Sequence, residues 1–293
     1  MTTSLHFLFL TKRFSFMSSS HAFQQVDVFS AQPLKGNPLA VVCDADGLSD
    51  AQMGAFANWT NLSETTFLLT PTSADADYRV RIFTPHGELP FAGHPTLGTC
   101  HVWLSRQGKT DKSEVVQECE AGLVRIRVSD GKLAFAAPPL RKSGPVDADT
   151  LDNVLAGLGL SSGAVVDSSW TDNGPGWVSL LLRSRQDVVN VKPNYPVLGG
   201  LKVGIAAPCS ADDTIEADFE LRAFADGYED PVTGSLNAGI AQWLIGKGIA
   251  TVSYIASQGT VLGRAGRVSV DKIGDDIWIG GAVTVLIEGT VTL

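Results

Sequence analysis

The sequence predicts an α+β protein built from two similar halves, and three observations carry that expectation. Gly93-His94-Pro95-Thr96-Leu97-Gly98 runs on to Trp103-Leu104, and about 140 residues later Gly234-Ser235-Leu236-Asn237-Ala238-Gly239 runs on to Trp243-Leu244. In each half a strand-like run and a polar turn precede that segment, so strand, turn and helix recur in the same order. Between them lie short period-two runs separated by Gly and Pro, the signature of strands and tight turns.

The elements follow in chain order. Gln24–Phe29 alternates as a strand, Pro33–Pro38 is a turn, and Leu39–Cys43 is a short β-rich run. Ser49 with Gln52 three residues on is a capping box, opening a helix that carries Met53, Phe56 and Ala57 on one stripe. Asn61-Leu62-Ser63-Glu64-Thr65 ends that helix, and Thr66–Leu69 is a strand. Tyr78–Phe83 alternates around Arg79 and Arg81 before the turn Thr84-Pro85-His86-Gly87, and Thr96–Leu104 is the helix after the first glycine segment. Val115–Cys119, Leu123–Val128 and Lys132–Ala136 are strands. Pro138–Asp149 is the crossover, giving an uncertain N-terminal extension over 1–20, a first domain over 21–137 and a second over 138–293, with the last strands able to cross back. In the second half Leu151–Leu158 is a helix, and Trp177–Leu182, Lys202–Ala207 and Glu216–Phe224 are strands. Gly227–Gly234 is a turn and Ser235–Ile245 a helix, and four strands finish the chain at Val252–Ala256, Val268–Lys272, Ile277–Ile279 and Val283–Ile287.

Composition bounds the function. A chain of 293 residues with 44% apolar and 18% charged residues buries a core of its own. A net charge of -9 and a pI near 5.0 argue against a nucleic-acid surface or an anionic membrane. Phe7-Leu8-Phe9-Leu10 is too short to span a bilayer, and Lys12 and Arg13 follow it instead of a cleavage site. Cytoplasmic placement is the expectation. A targeting segment in residues 1–20, or a second start at Met17, are the alternatives. Cys43, Cys100, Cys119 and Cys209 form no CxxC pair or zinc spacing, and the histidines no HExxH, so no metal is expected. There is no GxxxxGK[ST], no GxGxxG after a strand and no GxSxG elbow.

The positions able to carry chemistry are few. Glu64 alone is a solvated helix-end acid, yet in a cleft partial burial makes such a carboxyl a general base or acid. Gly93 and Gly234 let backbone N–H groups approach an oxyanion, and a helix start adds positive potential. His94 either ends a turn or donates to a substrate oxygen. Asp230 either makes an Asx-turn before Pro231 or joins the site, and Ser235 stands ready to hold a carboxylate beside the Gly234 amide. Glu64, His94 and Asp230 form a feasible acid/base set at the seam of the halves.

These segments together resemble the PhzF-like family, the phenazine-biosynthesis isomerase and its relatives, which have the diaminopimelate-epimerase fold. The resemblance runs from about Val26 to the end. It rests on Val26-Asp27-Val28-Phe29 with Gly36-Asn37-Pro38, Asn61-Leu62-Ser63-Glu64-Thr65, Phe83-Thr84-Pro85, Glu88 leading into Gly93–Gly98, Glu229–Ser235, and Gln258-Gly259 with Gly263-Arg264. It implies two pseudo-duplicated domains, each a mostly antiparallel sheet wrapped around one central helix. It also implies a cofactor-independent isomerase, commonly a homodimer, that acts on a small carboxylate-bearing molecule. In the characterised family enzyme the glutamate of the NLSET segment moves a proton between carbons of trans-2,3-dihydro-3-hydroxyanthranilate. By the match that role falls on Glu64, with His94 and Asp230 assisting and Gly93, Gly234 and Ser235 holding the carboxylate. The related racemases place one cysteine in each glycine segment. Here neither segment has one, so two-thiol racemisation is not expected. Leu89-Pro90-Phe91-Ala92-Gly93-His94-Pro95 looks more like other relatives than the biosynthetic isomerase, which leaves the substrate open. A binding or interaction protein that keeps the cleft without turnover, and an enzyme acting on a related cyclic acid, are the alternatives.

Overall fold

The computed structural model describes residues 19–108, 112–129 and 131–293. The expectation of an extension or targeting segment over 1–20 therefore falls, up to residue 18, outside the described residues.

The first half runs β1 (Ser20–Val28), β2 (Asn37–Val42), α1 (Asp50–Thr60), β3 (Glu64–Leu69), β4 (Tyr78–Thr84), β5 (Gly87–Leu89), α2 (Gly93–Gln107), β6 (Glu114–Cys119), β7 (Gly122–Ser129), β8 (Lys132–Ala136) and β9 (Lys142–Gly144). The second runs α3 (Ala148–Leu158), β10 (Val165–Asp172), β11 (Trp177–Leu182), α4 (Arg185–Asn190), α5 (Tyr195–Leu198), β12 (Lys202–Pro208), β13 (Phe219–Ala225), β14 (Tyr228–Asp230), α6 (Gly234–Gly246), β15 (Ser253–Gln258), β16 (Gly266–Ile273), β17 (Asp276–Gly281) and β18 (Val283–Thr292).

Pairing repeats between the halves. β2–β3 and β4–β6 are parallel, as are β11–β12 and β13–β15. The hairpins β4–β5 and β6–β7 have antiparallel counterparts in β13–β14 and β15–β16. β18 lies antiparallel to β1, and β9 lies antiparallel to β10 in the same relation. One sheet per half, with the last strands able to cross back, is the expectation; the two sheets are in fact joined. β8 pairs with β17 and β18 returns to β1, so the eighteen described strands make one continuous mixed sheet. The join satisfies edges that two closed-off antiparallel sheets would leave bare.

The repeat also extends upstream of the glycine segments. Arg81-Ile82-Phe83 lies seven residues ahead of Glu88-Leu89-Pro90, and Arg222-Ala223-Phe224 lies seven ahead of Glu229-Asp230-Pro231. Each arginine bonds its glutamate through Nε and Nη2, at 2.7 and 2.6 Å for Arg81–Glu88 and 2.9 and 2.7 Å for Arg222–Glu229. Each also stacks on its phenylalanine, 5.1 Å from the Phe83 centroid and 4.9 Å from that of Phe224.

Local chemistry explains the elements. Ser49 and Gln52 make the expected reciprocal capping box on α1, and Asn61 ends that helix in the left-handed region at φ 53, where an asparagine is tolerated. Asp147 caps α3 and Ser184 caps α4. α2 and α6 begin earlier than expected, at Gly93 and Gly234, and neither has a side-chain cap. Both are buried for most of their length. Their second glycines bring helix onto strand. A Cβ on Gly98 would sit 2.5 Å from Leu39 Cδ2, and one on Gly239 would sit 2.4 Å from the Thr171 carbonyl oxygen. A buried chain of hydrogen bonds from Tyr78 to Gln117 (3.0 Å) to Thr96 (3.0 Å) fixes the start of α2. The four cysteines are free thiols, and among the described residues no helix is long and apolar enough to cross a membrane.

Candidate active site

The starts of α2 and α6 meet. A Cβ on Gly93 would lie 3.1 Å from Gly234 Cα, and one on Gly234 would lie 3.1 Å from Gly93 Cα. Phe135 of β8 closes against both, and its Cζ would lie 2.6 Å from a Cβ on Gly93. Any side chain at these two positions would wedge the helices apart. The uncapped first-turn amides of both helices thus converge where two macrodipoles add their positive ends, which suits an anion.

Glu64 is the first residue of β3, placed there by the left-handed turn at Asn61, and is not the solvated helix-end acid it resembles in isolation. Its Oε2 lies 3.5 Å from His94 Nε2 in the first turn of α2. The Glu64 side chain is 16% exposed and that of His94 5%. Glu64 Oε2, His94 Nε2 and Asn37 Oδ1 are all buried, and none has a protein hydrogen-bond partner. Such atoms are costly unless they meet a ligand or solvent.

Asp230 ends β14 and joins them through Asn37. Asn37 Nδ2 donates to Asp230 Oδ1 at 2.9 Å and to the Val232 carbonyl at 3.0 Å, and lies 3.5 Å from His94 Nδ1. The Thr233 hydroxyl donates to Asp230 Oδ2. Gln258 stabilises that turn, donating to the Asp230 carbonyl at 3.1 Å and to Thr233 Oγ1 at 3.0 Å while accepting from the Thr233 amide at 3.1 Å. Ser235 sits in the first turn of α6. Its Oγ accepts from Trp177 Nε1 at 3.0 Å, and its carbonyl accepts from Asn173 Nδ2 at 2.8 Å.

The electrostatics separate three nearby titratable groups. Burial, reinforced by the charge of Asp230 and opposed by that of Lys202, pushes the Glu64 carboxyl up to about 8. Burial pushes Asp230 up to about 6, against the hydrogen bonds from Thr233 and Asn37. Burial drives His94 down to about 3, against a hydrogen bond to the Pro38 carbonyl, so the imidazole is neutral. A neutral imidazole beside a carboxyl that titrates near neutrality is suited to proton transfer. Burial, reinforced by the charges of Asp230 and Glu64, pushes the phenol of Tyr228 at the start of β14 up to about 12. Among the described residues no cluster of His, Cys, Asp and Glu is arranged to hold a metal.

All six residues singled out in the sequence lie on the segments that meet here, at β3, β14 and the two helix starts. Asn37 was visible as part of the Pro33–Pro38 turn, and both Asn37 and Gln258 as members of the segments that carry the resemblance, but neither with a role in the site. Asn37 has the look of a Gly-Asn-Pro turn residue, but it opens β2 and points inward at 0% exposure.

Comparisons with known proteins find relatives over most of the chain. A protein-family model described as phenazine biosynthesis-like protein matches residues 26–289. Antisense-enhancing sequence 1 of Schizosaccharomyces pombe is 37% identical, over 92% of this chain and 98% of its own. Trans-2,3-dihydro-3-hydroxyanthranilate isomerase of Pseudomonas aeruginosa is 35% identical, over 73% of this chain and 76% of its own. The crystal structure of a PhzF-family phenazine biosynthesis protein from Enterococcus faecalis superposes with a TM-score of 0.78 at 25% identity, covering 94% of this chain and 100% of that one.

Proposed function

We propose, from the premise that this chain belongs to the phenazine biosynthesis-like PhzC-PhzF family and is one of its cofactor-independent isomerases, that Glu64 moves a proton between two carbons of a small cyclic carboxylic acid. The observation that carries this is the buried, unpartnered pair Glu64 Oε2 and His94 Nε2, 3.5 Å apart beside two uncapped helix starts. The substrate carboxylate lies against the amides of Gly93 and Gly234 and the Ser235 hydroxyl. Glu64, as carboxylate, takes a proton from one carbon. The electron pair left behind spreads through the conjugated system toward the carboxylate, where the helix starts stabilise the added charge. Glu64, now protonated, returns the proton to a second carbon, and the net change is a shifted double bond. Neutral His94, whose single N–H goes to the Pro38 carbonyl, presents Nε2 to Glu64 as a hydrogen-bond acceptor. Asp230, held by Asn37 and Thr233, keeps Glu64 basic enough for the first step and orients the substrate's polar substituent.

The same reading takes 21–137 and 138–293 as two domains, their strands wrapped around α2 and α6, with the site at their seam. It extends to a homodimer in the cytoplasm, which light scattering on purified protein and a tagged copy in cells check separately.

The test is hydrogen exchange in D2O, with trans-2,3-dihydro-3-hydroxyanthranilate and with a metabolite extract. Wild type is expected to place solvent deuterium on carbon in at least one acid, and Glu64→Gln to lose that activity while still binding the acid. Equal incorporation by both proteins overturns the assignment.

A further inference from the structure

The internal repeat assigns a counterpart to Glu64. In the first half Leu39 of β2 pairs with Glu64, and the next residue, Thr65, pairs with Phe83 of β4. In the second half Trp177 of β11 pairs with Lys202, and the next residue, Val203, pairs with Phe224 of β13. Glu64 and Lys202 therefore open equivalent strands. Glu64 stands beside His94 at the start of α2. Lys202 pairs with Trp177, whose indole donates to Ser235 at the start of α6. Because Gly93 and Gly234 bring those two starts into contact, the strand ends that carry Glu64 and Lys202 flank the cradle from opposite halves.

Lys202 has a side chain 32% exposed and forms an ion pair with Asp226, Nζ to Oδ2 at 3.4 Å. Asp226 is itself 57% exposed and lies in the tight β13–β14 turn at φ 52. A contact of this length between partly exposed groups is weak and exchangeable. The Lys202 charge also favours the ionised form of Glu64. Exchanging Asp226 for another carboxylate would therefore cost the cation little.

We propose that Lys202 determines specificity: it takes the outer oxygen of the substrate carboxylate, exchanging Asp226 for it, and so fixes which end of the molecule faces Glu64. The inference rests on the reading of the cradle as a carboxylate site. It adds direction to that site. Two helix starts that meet nearly head to head offer similar donors from both sides, and a small planar acid would fit either way round. A cation on the α6 flank, with a carboxyl that is uncharged below about pH 8 on the α2 flank, removes that ambiguity, since the acid group is attracted to one flank only.

The experiment is calorimetric titration of the intact protein with anthranilate and with its neutral isostere anthranilamide. Wild type is expected to prefer the acid. Lys202→Met is expected to weaken anthranilate at least about fivefold, the loss of one charge-assisted contact, and to leave anthranilamide unchanged. Lys202→Arg should keep most of the preference. Asp226→Asn, which tolerates the left-handed turn, should tighten the acid by removing the competing carboxylate. A wild type without preference for the acid overturns the inference. So does a Lys202→Met that binds anthranilate as wild type does, or that loses both ligands in equal measure, as a damaged strand end would. Because no turnover is measured, these outcomes are independent of the exchange test on Glu64.

Discussion

Glu64 holds its proton to about pH 8 because burial and the neighbouring Asp230 both oppose its charge, and this reverses the usual stability trend of a carboxylate. The unfolded chain releases that proton near the ordinary 4.5. Between these two values the folded state binds more protons than the unfolded state. This group's contribution to stability is therefore complete below the lower value and is lost as pH rises to the upper one. Glu64→Gln removes the group, so its melting temperature should gain on that of wild type as pH rises from about 4.5 to about 8, and then stay level. A gap independent of pH would show that Glu64 is solvated. Catalysis depends on the same ionisation. If Glu64 acts first as base, kcat/KM should climb toward pH 8, and Asp230→Asn should move the inflection downward by removing the charge that raises it. An inflection that stays put or moves up would mean that Asp230 acts only by geometry.

The helices that carry the cradle owe their position to what glycine leaves out. Gly93→Ala would place a methyl carbon 2.6 Å from Phe135 Cζ and 3.1 Å from Gly234 Cα, and should cost about 1–3 kcal/mol in urea unfolding along with most of the activity. Gly54 lies within α1 with nothing within 4 Å of a built Cβ, so Gly54→Ala should stabilise by roughly 0.5–1 kcal/mol and leave activity alone. Equal effects at the two sites would discount the wedge. This contrast also marks what was legible in the sequence. The spacing of Gly93 to Gly98 and Gly234 to Gly239 announced two helices with special starts, and Ser49 with Gln52 announced α1, because each signal is local. β10 escaped notice because Val165–Asp172 is Ser- and Asp-rich and its register slips between Val165 and Asp167, so no clean alternation survives. Asn37 escaped as a site residue because its partners, Asp230 and Val232, are nearly two hundred residues away, and only the joined sheet brings them together.

Across the whole molecule the duplication keeps its scaffold and diverges where chemistry is needed. After the shared Arg-x-Phe and Glu, the first half has Leu89, Ala92 and His94 where the second has Asp230, Thr233 and Ser235. The histidine and the aspartate thus come from different halves, and neither half alone holds the set. The two arginine–glutamate pairs have diverged in setting as well. Arg222 and Glu229 have side chains only 2% and 7% exposed, and Arg222 Nη1 also donates to the Val188 and Val191 carbonyls at 3.0 and 2.7 Å. Arg81 and Glu88 are 19% and 28% exposed, and Asp50 offers Arg81 a second carboxylate at 2.6 Å. Removing one partner of a buried pair leaves an uncompensated charge in a poor solvent, whereas an exposed pair loses little. Glu229→Gln should therefore cost about 3–5 kcal/mol, and Glu88→Gln at most about 1 kcal/mol, by denaturant unfolding. Glu229 is joined through the peptide chain to Asp230, so the costly change should also disturb exchange catalysis, and the cheap one should not. Equal costs would show that the burial of the second pair has no energetic consequence. A large cost at Glu229 with activity intact would show that the pair supports the second half without positioning Asp230.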